Sequence, residues 1–169
     1  RSNAVNIIAS KIHEINIQIN NLLPCIQILT THTPPKWDFD VIDMVTAQSV
    51  TGTGVVTEVV TSWSDFFGMQ SSRMTNKLSN GEDVCKNMIR YKALKLGGQA
   101  IIATDIDYAE VGGGKGMLMV CMSGTVVKDN NIQEIDPKRN EQIKKIDFLF
   151  EEIELLSKDD KLVRELPTY

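Results

Sequence analysis

The chain has 169 residues, 42% of them hydrophobic and 24% charged, with a net charge of -4 and an isoelectric point near 5.2. Those totals fit one globular domain with appended segments, and they argue against nucleic acid as a partner, which calls for a basic patch or stripe. No apolar run approaches the roughly 20 residues of a membrane-spanning helix. Cys25, Cys85 and Cys121 are odd in number and far apart, so no disulfide framework is expected and the cytoplasm is the predicted compartment.

Ser2-Asn3-Ala4 reads as the remnant of an expression tag and is left out of fold reasoning. From Ala4 to Leu23, Val5, Ile8, Ile12, Ile15, Ile19 and Leu22 recur at spacings of three and four, an amphipathic helix stopped by Pro24. Isoleucine and asparagine are modest helix formers, so this helix needs packing, against its own domain or a neighbouring subunit. Residues 1–24 are thus tag remnant and N-terminal helix. Cys25 to Thr31 is predicted as a short strand, Cys25-Ile26-Gln27-Ile28-Leu29-Thr30, and Thr33-Pro34-Pro35-Lys36 is a loop, since consecutive prolines cannot join a ladder.

Val41 to Thr61 alternates and is rich in valine and threonine, which predicts a long strand bent or bulged at Gly52 and Gly54. Ser62-Trp63-Ser64-Asp65 opens a short helix reaching Met74, and Ser79-Asn80-Gly81-Glu82 has the form of a capping box. Val84, Cys85, Met88, Ile89, Tyr91, Leu94 and Leu96 then make a broad apolar stripe, and Gly97-Gly98 ends that helix through the left-handed conformation open to glycine.

Two strands, Ala100–Tyr108 and Met117–Val127, flank Gly112-Gly113-Gly114-Lys115-Gly116 as a hairpin. Alternation puts Leu118, Val120, Met122, Gly124 and Val126 toward the helix, with Gly124 permitting close approach. It puts Ile102, Thr104, Ile106 and Tyr108 on one face of the first strand. Met117, Met119, Cys121, Ile101 and Ala103 would then form an apolar patch on the face the helix leaves bare. Monomers rarely expose such a patch, so burial against other copies of the chain is expected. Asp136-Pro137 introduces a terminal amphipathic helix over Lys138–Leu156, followed by a polar tail. Residues 25–130 form the central domain and 131–169 the C-terminal helix and tail. The predicted class is α+β, a two-layer α/β sandwich with a mainly antiparallel sheet and helices at both ends.

Several blocks are recognisable. Gly54-Val55-Val56-Thr57-Glu58-Val59-Val60, Asp65-Phe66-Phe67, the run from Ala93 to Ile102, Asp105-Ile106-Asp107-Tyr108 and the run from Gly116 to Val127 together resemble the YbjQ-like family, whose label is heavy-metal binding. The likeness covers roughly Ile26 to Lys128. This chain departs from the family pattern at Gln70-Ser71-Ser72-Arg73, where a glycine-rich turn is usual. It departs again at Gly97-Gly98-Gln99, where Gly-Ala-Asn is usual. The resemblance implies a dodecin-like layer assembled as a homopentameric ring, and it brings no catalytic motif.

For chemistry, soft metals want thiolate and imidazole at paired spacings, and neither C-x-x-C nor H-x₃₋₅-H occurs. His13 and His32 lie outside the matched core. Lone cysteines more often serve as small buried hydrophobes. Symmetry offers one route to a metal: Cys121, Asp105 or Asp107 of several copies could converge near an axis. Asp105 and Asp107 are otherwise solvated or capping strand-end carboxylates. The glycine run is a turn and not a phosphate loop, because a strand follows it and no helix does. No serine or cysteine has a base at a telling distance, so an enzyme is not expected. The reading is a non-enzymatic ring module binding a heavy-metal ion or small ligand at subunit interfaces. The alternative is a protein-interaction or scaffold module acting through its flanking helices.

Overall fold

Two paired antiparallel strands, Ala100–Val111 and Met117–Asp129, set the frame. The structure, a computed structural model, describes residues 2–51, 81–113 and 117–165. The elements are α1 (Ser2–Leu22), a 3₁₀ turn (Leu23–Cys25), β1 (Gln27–Ile28), β2 (Phe39–Thr51), α2 (Gly81–Lys95), β3 (Ala100–Val111), β4 (Met117–Asp129), the short α3 (Ile132–Ile135) and α4 (Pro137–Glu165). They form an α+β fold with a four-stranded mixed sheet in the order β1-β3-β4-β2. β4 is antiparallel to both β2 and β3, while β1 joins β3 in parallel through only two residue pairs. The expected long strand is therefore seen from Phe39 to Thr51. Its continuation, the predicted helix at Ser62–Met74 and the Ser79 capping box lie outside the described residues.

α2 crosses one face of the sheet, contacting β2, β4 and β3. Its C-terminus closes as the two glycines predict. Gly98 N–H donates to Ala93 O at 2.8 Å and Gly97 N–H to Leu94 O at 3.0 Å, with Gly97 at a φ of 79°. This is the paired 6→1 and 5→2 arrangement that satisfies the last helical carbonyls. A Cβ on Gly98 would also collide with Val126 Cγ1.

Two expectations are corrected here. The first concerns β3, whose pairing with β4 shifts between Ile102 and Asp105, with Ala103 at a φ of 50°. One extra residue flips the alternation. Ile101 is fully buried in the helix-side core with Ile89, Met122 and Val126, so it takes no part in the predicted bare patch. Ile102 packs in a second cluster with Ala100 and Val127, against Leu29, Trp37 and Phe39, and does not share a cluster with Ile106. Gly124 permits the close approach expected of it, here beneath the bulge: a Cβ there would meet Ile101 Cγ2 and lie 2.9 Å from Thr104 Oγ1. The second correction is at Cys25, which ends a 3₁₀ turn and lies ahead of the strand.

The two flanking helices build the same core. Ile15 and Ile19 of α1 and Ile143, Ile146 and Leu149 of α4 are buried in one cluster with Ile26 and Cys85. α1 packs along α4, and the Ile15, Ile19 and Leu22 end of its apolar stripe joins the core of the chain while Val5, Ile8 and Ile12 stay half-buried. α4 starts at Pro137, as the proline predicted, and runs past Leu156 to Glu165. Its first turns are tied to the sheet by Arg139, whose side chain is 4% exposed. Arg139 Nη2 donates to Asp129 Oδ2 at 2.6 Å and Nη1 to Gln99 O at 3.3 Å, with the guanidinium 4.7 Å above the Trp37 ring. Such a pair is stable only because further hydrogen bonds satisfy it, and Asp129 Oδ1 accepts from Asn131 N–H.

Candidate functional site: the open sheet face

Register alone assembles the site. On the face opposite α2, β4 sits between β2 and β3, and its residues pair both ways. Cys121 lies opposite Gln48 on one side and Asp107 on the other; Ser123 lies opposite Thr46 and Asp105. Directly paired residues have Cβ atoms about 5 Å apart, and same-face neighbours along a strand about 7 Å. The three predicted ligands, Cys121, Asp105 and Asp107, therefore share one face and adjoin one another. Sequence reasoning missed Gln48 and Thr46, which complete the two polar rows with Ser123, a residue that shares the Cys121 face of β4 by alternation. Only the β2–β4 register reveals Gln48 and Thr46, since alternation within a strand carries no register.

The face is wet. Thr46, Gln48, Asp105 and Asp107 are exposed, and Met119, Cys121 and Ser123 are half-buried. A cleft of about 500 Å³ is not confined to this face: Thr46, Gln48, Asp107, Cys121 and Ser123 line it together with Met88 and Lys92 of α2. Lys92 Nζ donates to Thr46 O at 2.6 Å, which holds its cation at the β2 edge. Beyond the polar rows, Met44 and Val41 of β2 are 68% and 66% exposed.

The cysteines divide by environment. Burial pushes the Cys25 thiol from 9.0 up to about 11, with nearby Arg139 and Arg90 only partly opposing it. Burial also raises Cys85, whose Sγ donates to Val120 O at 3.4 Å. Both are protonated at neutral pH and poorly suited to bind a metal as thiolates. Cys121 is the cysteine that solvent reaches. Among the described residues, no group of three His, Cys, Asp or Glu side chains converges closely enough to hold a metal ion. His13 and His32 are exposed on α1 and in the loop before β2, neither on the sheet. One copy thus offers a partial donor set, not a closed metal centre. Gly112 and Gly113 lead from β3 toward β4 with positive φ, as a turn requires, and a strand follows.

On the other face, a surface triad forms that the sequence did not signal. Tyr108 O–H donates to Glu82 Oε2 at 2.9 Å and Lys86 Nζ pairs with Glu82 Oε1. Lys86 and then Tyr108 hold the Glu82 carboxyl below its usual range, and the bond to Glu82 raises the Tyr108 hydroxyl. This triad fastens β3 to α2.

An α+β domain with a polar-rowed open sheet face is the class that fold and site define. A family model described as "Putative heavy-metal-binding", YbjQ, matches residues 26–130, and the chain belongs to that family. A UPF0145 protein of Caulobacter vibrioides is 43% identical over 82 residues, 48% of this chain and 77% of the relative. A UPF0145 protein of Listeria grayi is 32% identical over 103 residues, 59% of this chain and 97% of that protein. The crystal structure of a protein of unknown function of the DUF74 family, from Pediococcus pentosaceus, aligns over 62% of this chain and 98% of that one, with a TM-score of 0.42 and 22% identity.

Proposed function

We propose that this chain is a non-catalytic binding module that associates with copies of itself into a ring, a pentamer, and takes a soft or borderline metal ion where open sheet faces meet. The observation that carries the reading is the placing of Cys121 beside Asp107 and Asp105 on an exposed face that lacks a full donor set. A thiolate and a carboxylate per copy become a complete first coordination sphere only where the same residues of several copies converge near the axis of the ring. The exposed Met44 and Val41 on the same strand that borders those rows support burial by a neighbour. The unpaired cysteines support a reducing compartment, the cytoplasm.

The test pairs light scattering with elemental analysis of the purified chain after exposure to zinc and washing. An assembled chain that retains zinc in fixed proportion, and loses it on Cys121→Ser but not on Cys25→Ser, is the expected result. A monomer in dilute buffer, or an assembly whose retained zinc is indifferent to Cys121→Ser and Asp107→Asn, overturns the reading.

A further inference from the structure

β2 ends the sheet on one side, and among the described residues it pairs with β4 alone. In an antiparallel ladder alternate residues turn both backbone groups toward the partner strand, and the residues between turn theirs away. Two side-chain bonds show which residues of β2 turn outward. Met44 N–H donates to Asp43 Oδ1 at 2.7 Å, and Lys92 of α2 donates from Nζ to Thr46 O at 2.6 Å. Met44 and Thr46 are two apart, so they belong to one outward-turned set, and a charged side chain has taken one backbone group of each. Both charges stand where an added strand would have to dock.

This strand needs such cover. From Val41 to Thr51 it is rich in valine, isoleucine and threonine, has neither glycine nor proline, and carries Asp43 as its one charge. A segment of high β propensity and low charge, laid along a sheet edge, is a template for pairing with another chain. Its Val41 and Met44 side chains are 66% and 68% exposed. Room for a strand is present as well. A cleft of about 390 Å³ follows the edge, with β2 on one side and Tyr91, Lys92, Lys95 and Leu96 on the other.

We infer that Asp43 and Lys92 guard this edge: fixed on its outward backbone groups, they stop a second copy of the chain from adding its own β2 there. An incoming strand has to break a charge-assisted bond at Met44 and another at Thr46. It then leaves a carboxylate and an ammonium stripped of water at the new seam, where a charge without hydrogen bonds is costly. The barrier is occupancy and desolvation, not repulsion between like charges, so it holds in whichever register the second strand approaches. The guard acts at the strand edge and not on the open face. Its loss is therefore read as growth beyond whatever assembly the unaltered chain forms, ring or monomer.

Time-resolved light scattering of the full-length chain carrying Lys92→Met and Asp43→Ala is the test. Its control carries Lys145→Met and Asp159→Ala, which remove the same two charges from exposed positions of α4. Growth beyond the size of the unaltered chain should be on the order of tenfold faster in the edge variant than in the control. Lys92→Arg, which keeps a cation within reach of Thr46 O, should match the unaltered chain. Hydrogen exchange locates the contact: the amides of Thr46 and Gln48, outward-turned by alternation, should become slow only in the grown edge variant. Equal growth in edge variant and control defeats the inference, and so does growth that leaves these two amides exchanging as in the unaltered chain. Growth accompanied by lost protection in the core around Ile89 and Ile101 defeats it too, because a guard of the edge does not hold the fold together.

Discussion

The two faces of the sheet are cut from the same strands yet obey different rules. On the α2 side, Ile101, Met122 and Val126 are at most 2% exposed and meet residues from α1, α2 and α4. On the other, alternate positions of β2, β4 and β3 present Thr46, Gln48, Ser123, Asp105 and Asp107 to solvent at one end. At the opposite end of that face, Ala100, Ile102 and Val127 are covered by Leu29, Trp37 and Phe39. The closed face fixes the fold, and the open end is free to vary with function. A residue's effect should therefore follow its face more closely than its type.

The sharpest break of that comparison is at the seam where the closed core meets α4. Arg139→Ala leaves Asp129 buried and charged, and loss of one partner of such a pair costs about 3–5 kcal/mol. Urea unfolding should show it as a lowered midpoint. Replacing both partners, Arg139→Met with Asp129→Leu, should recover much of the loss. If the single change costs under ~1 kcal/mol, α4 is not held by this pair.

Neighbouring residues of β4 sharpen the same contrast. Gly124→Ala would force a Cβ into Ile101 and Thr104, and overpacking of this kind costs about 1–3 kcal/mol. Ser123→Ala, one residue away on the open face, should stay within about 0.5 kcal/mol. Equal effects from the two in the same denaturation assay would mean that the faces are not energetically distinct.

The sequence carried much of this unevenly. The α2 stripe up to Leu94, its Gly97-Gly98 ending, Val120, Met122 and Val126 on β4, Gly124 and Pro137 at the head of α4 were legible, because each is a local rule about spacing or backbone conformation, while Leu96 and Leu118 of the same patterns are exposed. The β3 bulge was not. Ile101-Ile102 is apolar at both positions, so the pattern permits either to face inward until Ala103 adds its extra residue. The buried Arg139–Asp129 pair was equally hidden, since the partners belong to different elements and neither residue type is ordinarily buried. For the site, Cys121, Asp105 and Asp107 were nameable from composition, but their adjacency came from strand register, a long-range fact. Register likewise supplied Gln48 and Thr46.

The smallest expected effect separates the closed core from water by titration. Burial raises Cys25 from 9.0 to about 11 and Tyr91 from 10.0 to about 12. In each case the folded state favours the neutral form. Below pH 9 both residues are protonated in folded and unfolded chains alike, so stability is unaffected. Between pH 9 and 11 the unfolded chain releases the Cys25 proton while the folded chain keeps it. Between 10 and 12 the same holds for Tyr91. The unfolded state thus binds fewer protons, and stability must fall as pH rises through this window. Thermal melts from pH 8 to 11 should show that decline, shallower in Cys25→Ala and in Tyr91→Phe once each is referenced to its own value at pH 8. A decline of unchanged steepness in Cys25→Ala would mean that water reaches the thiol in the folded chain, and that the core around Cys25 is less closed than its packing against α1 and α4 implies.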